Sequence, residues 1–154
     1  MPHYTATIQW HRQPTEPFSD NRYSRGHQWT FDGGVSIRAS SSPHVVPRFS
    51  DPAGVDPEEA FIASLSSCHM LTFLYLAAKA GHVVDSYGDT AEGQMAKTAE
   101  GRVWVSAVTL RPKITWGGPA PDAQAVHALH RAAHDECFIA NSVKTEVRCM
   151  PQDG

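Results

Sequence analysis

The sequence lacks several features that would place it in a specialised class of protein. Its 154 residues include only three cysteines and begin without an apolar leader, which argues against a secreted scaffold held by disulfides. No run of roughly eighteen apolar residues occurs, because polar side chains interrupt the most hydrophobic segment: Ser64, Ser66, Ser67, His69 and Thr72. We therefore expect a cytoplasmic protein with no membrane partner.

An excess of positive charge is also absent. Lys and Arg total 13 against 16 for Asp and Glu, so the net charge is −3 and no nucleic-acid partner is predicted. The glycine pairs at 33–34 and 117–118 match no phosphate-binding loop, and no serine has the Gly-x-Ser-x-Gly frame of a hydrolase. The sequence therefore predicts no cofactor.

What is present is the composition of one ordinary globular domain. Apolar residues make up 41% and charged residues 19% of the chain, and its length suits a single core, so we predict one domain over residues 1–154. Alternation and turn residues predict strands at 4–10, 27–31, 35–40, 83–94, 102–116 and 143–149, with helices at 57–80 and 122–136. This order predicts an α+β fold, in which antiparallel sheets pack around a long buried central helix.

The long helix has the clearest local signals. Asp56 supplies a capping acceptor, Pro57 suits the first helical position, Glu59 can complete a capping box, and Gly81 suits the end. The segment is apolar nearly all round, as in a buried helix. Because a chain of this size can hardly cover such a helix alone, we predict a homodimer.

The cysteines, taken alone, favour a structural interpretation. Cys68 lies about a dozen residues into the helix, too far from its positive end for the helix dipole to activate it. Burial among apolar side chains would raise the pKa of such a thiol unless a cation lies close. Cys137, at the end of an apolar helical stripe, and Cys149, in a strand, have the same simple explanation as core thiols.

A resemblance changes that interpretation. The segment Asp56–Cys68, DPEEAFIASLSSC, closely resembles the helix of the OsmC/Ohr family, the osmotically inducible and organic hydroperoxide resistance proteins. In that family a Pro-Glu pair precedes the reactive cysteine by ten positions, as Glu58 precedes Cys68 here. Cys137 falls where the family has its resolving cysteine, and Arg25 lies in a segment similar to the loop of the family's active-site arginine. Arg22, three positions earlier, is the alternative to Arg25 for that role. The order of elements agrees over nearly the whole chain.

The resemblance implies an OsmC-like fold, an intertwined homodimer and a thiol-dependent peroxidase acting on organic hydroperoxides. Cys68 would attack the peroxide and Cys137 would close a disulfide, which a dithiol reductant, such as a lipoylated protein, would reopen. Arg25 would keep the thiolate ionised and Glu58 would pair with that arginine. Since ten helical residues rise by about 15 Å, Glu58 would have to come from another subunit or from across a helix break.

One departure from the family pattern supports a different function. Peroxidases of the family usually have proline directly after the second cysteine, whereas Phe138 follows Cys137 here. This difference indicates a distinct OsmC-like branch. The alternative is a non-catalytic dimeric protein that keeps the fold and binds a ligand or senses oxidation.

A metal-binding protein is a further alternative. His127, His130 and His134 share one stripe of the second helix, and His69 adjoins Cys68. Histidine and cysteine together suit zinc. A polar, solvent-facing helix surface explains the stripe more simply, so no metal ligand is predicted.

Overall fold

The computed structural model describes residues 1–152 and has a mixed α+β fold. The elements are, in order, β1 (Ala6–Gln9), β2 (His27–Phe31), β3 (Ser36–Ala39), α1 (Pro57–Lys79), β4 (Val84–Asp89), β5 (Glu92–Lys97), β6 (Val103–Leu110), β7 (Pro112–Trp116), α2 (Ala123–Glu136), a 3₁₀ turn (Ala140–Ser142) and β8 (Glu146–Cys149). The chain divides into two compact units, Met1–Ala60 and a second that begins at Phe61. The single domain over residues 1–154 stays a prediction.

The first unit contains a three-stranded antiparallel sheet in the order β1, β2, β3. Apolar side chains face one another across it, with Trp29 opposite both Ile8 and Ile37. The turn between β2 and β3 lies where the sequence predicts it. Of its two glycines, Gly34 adopts the positive φ (87°) that a side chain would disfavour.

Helix α1 begins and ends at the predicted signals. The Asp56 carboxylate accepts from the Glu59 amide at 2.8 Å, and the Glu59 carboxylate accepts from the Asp56 amide at 3.1 Å, so the capping box is reciprocal. At the other end Gly81 has φ 85°, and the N–H groups that follow the helix bond back to carbonyls of its last turn. Local sequence therefore determines both ends.

Within one chain, α1 buries a single stripe rather than its whole circumference. Its buried residues recur every fourth position: Leu65, His69, Phe73 and Ala77. On another face Leu71 and Tyr75 are each 61% exposed. Leu71 and Tyr75 thus belong to a second apolar face of α1, which a single chain leaves exposed.

By length and composition alone, α1 would also be able to cross a membrane. The core helix of a globular protein passes the same test. The buried stripe, which packs against strands and against α2, is what such a core helix needs.

The second unit has two sheets, and each of the two long predicted strands is split between them. β4 pairs with β7, while β5, β6 and β8 form the other sheet. The Asp89 carboxylate accepts from the backbone N–H of Arg111 at 2.7 Å, so a side chain takes the donor that a continuous ladder would use. Pro112 follows and has no N–H to offer. The prediction of unbroken strands at 83–94 and 102–116 is therefore wrong.

The last strand pairs in an unexpected direction. β8 lies parallel to β6, with Val108 opposite Val147, whereas the other strand pairs are antiparallel. β8 is also shorter than predicted, because residues 143–145 lie outside it. Both differences depend on long-range pairing, which local alternation does not encode.

Two apolar clusters form the core of the second unit. One is centred on Leu65, Val108 and Leu110, and the other on Phe73, Ala77 and Ala133. Helix α2 enters the second cluster and is capped by Asp122, whose carboxylate accepts from the Ala125 amide at 2.8 Å. The predicted helix at 122–136 is confirmed to within its capping residue.

Candidate active site

Cys68 lies near the middle of α1, one position before the buried stripe. Its side chain is half-buried, and its carbonyl accepts a hydrogen bond from the Thr72 hydroxyl at 2.9 Å. Because His69 takes the buried position, Cys68 is turned by about 100° away from the core stripe. The helix therefore presents the thiol at the edge of the packed interior.

Cys137 ends α2 and is far less accessible, with 1% of its surface exposed. Its backbone N–H donates to the carbonyl of His134 at 3.3 Å, and its Sγ accepts from the Ala140 N–H at 3.5 Å. Cys68 lies near enough to affect the pKa of this thiol. Two cysteines 69 positions apart in the chain are thus neighbours, and both are free thiols.

Burial raises the pKa of the Cys137 thiol, and its hydrogen bond to Cys68 raises it further. The backbone N–H groups of Ala140 and Ile139 oppose this effect without cancelling it. Cys137 is therefore protonated at neutral pH. In this pair, the half-buried Cys68 is the sulfur better placed to meet an oxidant.

Arg25 is held in the first unit by its own neighbours. Its guanidinium lies 3.6 Å from the centroid of the Tyr23 ring and donates to the carbonyl of Asn21 at 3.1 Å, and also to that of Tyr23. The Tyr23 ring stacks on Phe18 at 4.7 Å between centroids. Arg25 thereby borders an aromatic cavity of about 440 Å³, whereas Arg22 is exposed.

Glu58 also belongs to the first unit and has an unsatisfied atom. Its Oε2 is buried and has no hydrogen-bond partner among residues 1–152. The neighbouring Glu59 is used in the capping box, so Glu58 is not needed to begin the helix. A buried carboxylate oxygen without a donor is costly, and a cation or donor from another molecule would remove that cost.

Of the four predicted catalytic residues, Cys68 and Cys137 are brought together within the second unit. The action of Arg25 and Glu58 on the thiol stays a prediction. No sequence pattern points to Asp89, whose carboxylate accepts from the Ser66 hydroxyl as well as from the Arg111 amide. From sequence alone, an acidic residue at the end of a strand, such as Asp89, is interpreted as a surface residue.

The histidine stripe of α2 does not form one solvent-facing surface. His127 is exposed, but His130 is only 3% exposed and stacks on Phe73 with 4.3 Å between ring centroids. For His130 the interpretation as a polar helix face is wrong. The ring is buried because α2 packs against α1 at this position, next to His69.

Comparisons with known proteins agree with the fold. The family described as OsmC-like protein matches residues 50–150. An OsmC-like protein of unknown function from Vibrio cholerae is similar over 99% of this chain and 100% of its own, with 50% identity and a TM-score of 0.95. No protein with a curated description matches.

Two more distant solved structures share the fold. An organic hydroperoxide resistance protein from Elizabethkingia anophelis is 16% identical over 100% of this chain and 98% of its own, with a TM-score of 0.75. The organic hydroperoxide resistance protein of Bacillus subtilis is 17% identical over 99% of this chain and 98% of its own, with a TM-score of 0.68. These similarities confirm the predicted OsmC-like fold.

Proposed function

Since this chain belongs to the OsmC-like protein family, we propose that it is a thiol peroxidase that reduces organic hydroperoxides through Cys68 and Cys137. The observation that carries the proposal is the proximity of two thiols, one within α1 and one at the end of α2. The names of the hydroperoxide resistance proteins that share the fold support the substrate class.

The reaction needs two thiols and one dithiol. The Cys68 thiolate attacks the peroxide O–O bond, so that sulfur gains an oxygen as a sulfenic acid and the substrate leaves as an alcohol after taking up a proton. The Cys137 thiol then attacks the Cys68 sulfur, water leaves and a disulfide forms. An external dithiol donates two electrons and two protons, becomes a disulfide itself, and restores both thiols.

The environments of the two thiols support this assignment of roles. Cys68 is half-buried and able to meet a substrate, while Cys137 is nearly inaccessible. Because burial keeps Cys137 protonated, the resolving thiol does not compete as the first nucleophile. Their proximity is what closure of a disulfide between them requires.

Glu58 supports a site completed by a second subunit. Helix α1 runs unbroken from Pro57 to Lys79, and ten helical residues rise by about 15 Å. The alternative of a helix break is therefore removed. We infer that Glu58 acts on the thiol of the other chain of a homodimer, with Arg25 as the cation between carboxylate and thiolate.

An exposed apolar surface of the second unit also supports a homodimer. Leu71, Tyr75 and Phe138, which we call the Leu71–Tyr75–Phe138 surface, border one shallow depression, and Phe138 is 81% exposed. Clustered apolar side chains on a surface are typical of contacts between proteins. The dithiol reductant and the cytoplasmic location stay predictions.

The test is steady-state reduction of cumene hydroperoxide with dihydrolipoamide. We expect turnover by the wild type, loss of at least about 1,000-fold in Cys68→Ser because the nucleophile is removed, and a single turnover without recycling in Cys137→Ser. Ser67→Ala, which changes an exposed hydroxyl beside Cys68, should keep the wild-type rate.

Folded wild-type protein without turnover would contradict the peroxidase proposal. If the disulfide still forms stoichiometrically with peroxide, the redox-sensing alternative gains the support that the enzyme loses. Two observations favour this alternative. Phe138 follows Cys137 where peroxidases of the family usually have proline, and the similar protein from Vibrio cholerae is described as being of unknown function.

A further inference from the structure

A second cluster of reactive side chains is centred on His69, which lies about 100° around α1 from Cys68. Three elements contribute to it: His69 from α1, His130 from α2 and Cys149 from β8. The Nε2 of His69 lies 3.0 Å from the Nδ1 of His130 and 3.7 Å from the Sγ of Cys149. The three ligand atoms are all within 4.8 Å of one another.

These separations are close to those between ligands of one tetrahedral zinc ion. With Zn–N near 2.05 Å and Zn–S near 2.3 Å, two nitrogens lie about 3.3 Å apart, and a nitrogen and a sulfur about 3.6 Å apart. The two separations measured from the Nε2 of His69, 3.0 Å and 3.7 Å, are each within a few tenths of an ångström of these values.

Hydrogen bonding within the protein does not fully account for the cluster. The Nε2 of His130 is buried and has no hydrogen-bond partner among the described residues. A bond between the two rings satisfies only one nitrogen of each. The two stacked imidazoles are buried and the Cys149 thiol is half-buried, and burying such polar groups costs free energy that apolar side chains would not cost.

The protonation state of the rings suits a metal. Burial lowers the pKa of His69 to about 4 and that of His130 to about 4, so both imidazoles are neutral at pH 7, the form in which histidine binds a metal. Asp89 lies near enough to His69 and Cys149 to affect the pKa of each. Its negative charge and one thiolate would balance the two charges of a divalent cation.

The cluster can be reached from outside. Cys149 and His130 border a groove of about 660 Å³, which His127, Arg131 and His134 also line. The groove leaves room for a water molecule or a small ligand at a fourth coordination position, as an open zinc site requires.

We propose that His69, His130 and Cys149 bind one zinc ion, with the fourth position open to the groove. Binding displaces the Cys149 proton to solvent, so the ion is held by two neutral imidazoles and one thiolate. Nitrogen and sulfur donors favour zinc over magnesium or calcium. The site is separate from the Cys68–Cys137 pair and does not depend on the peroxidase proposal.

The test is titration of chelator-treated, full-length protein with Co²⁺, followed by displacement with Zn²⁺. We expect about one Co²⁺ per chain, with the visible bands of tetrahedral cobalt and a thiolate-to-cobalt charge-transfer band in the near ultraviolet, all removed by zinc. In Cys149→Ser the charge-transfer band should vanish, and zinc affinity should fall at least about 10-fold.

Two comparisons exclude other sites. His130→Asn should lose the bands, while His127→Asn, three positions away on the same helix, should keep them. The double variant Cys68→Ser/Cys137→Ser should also keep the bands. Zinc should raise the Tm of this variant, because its three proposed ligands are unchanged. Absence of stoichiometric cobalt binding in the wild type would overturn the proposal. So would bands that persist in Cys149→Ser and vanish in the double variant.

Discussion

At the scale of single residues, Cys68 and Cys137 differ in how far their thiols are exposed to solvent. Cys68 is half-buried, whereas Cys137 has 1% of its surface exposed and a pKa raised by burial. Thiolates, not thiols, react with alkylating agents. We therefore expect iodoacetamide to modify Cys68 of the native, reduced protein well before Cys137, as measured by mass spectrometry of the digested chain.

Unfolding should abolish this difference in alkylation, because both cysteines are then equally exposed. Denatured protein is accordingly the control. Faster labelling of Cys137 in the native state would show that the two thiols have been assigned the wrong roles.

Sequence patterns predicted some of these residues and not others, for a physical reason. Cys68 and Cys137 were identified through a resemblance to a family, since a buried thiol by itself looks inert. The spacing of His130 from His127 and His134 predicts a surface stripe, and for His130 this prediction is wrong. Its burial depends on His69, 61 positions earlier in the chain, and no local pattern contains that contact.

At the scale of elements, the capping box of α1 offers a test of helix stability. Removing the Asp56 carboxylate by Asp56→Ala leaves the amide of Glu59 without its acceptor. We expect the free energy of unfolding to fall by about 1 kcal/mol. Urea denaturation of both proteins at one protein concentration measures the change.

The matched control for the cap is Asp135→Ala, which removes an exposed carboxylate near the end of α2. A negative charge near the C-terminal end of a helix gives no favourable interaction with the helix dipole, so no loss of stability is expected. Equal losses in the two variants would mean that the cap has no specific role.

The elements themselves were predictable to the extent that their signals are local. Asp56, Pro57 and Gly81 gave the ends of α1 to within a residue. The long strands were not predicted correctly, because Asp89 binds the amide of Arg111 across 22 positions. The alternation of polar and apolar residues in either strand does not predict that a side chain distant in sequence will take a backbone hydrogen bond of the ladder.

For the whole molecule, the homodimer is the prediction with the widest consequences. The chain has a mass of 16.8 kDa, so sedimentation equilibrium of the wild type should give twice that value. Tyr75→Glu places a charge in the Leu71–Tyr75–Phe138 surface, and we expect the monomer mass because burial of an unpaired charge is unfavourable.

Val103→Glu is the control for the dimer, since Val103 is similarly exposed but lies outside that surface. It should retain the wild-type mass. A monomeric wild type would remove the subunit that Glu58 requires and would leave the thiol pair as the whole of the proposed site.

The parallel pairing of β8 with β6 has a consequence for biosynthesis. The ribosome releases β6 well before β8, so for that interval one edge of β6 has unpaired backbone groups and can recruit a strand from another nascent chain. A transcript that stops translation before Glu146 would make this exposure permanent. Its product should collect in inclusion bodies, although it contains both cysteines of the proposed pair.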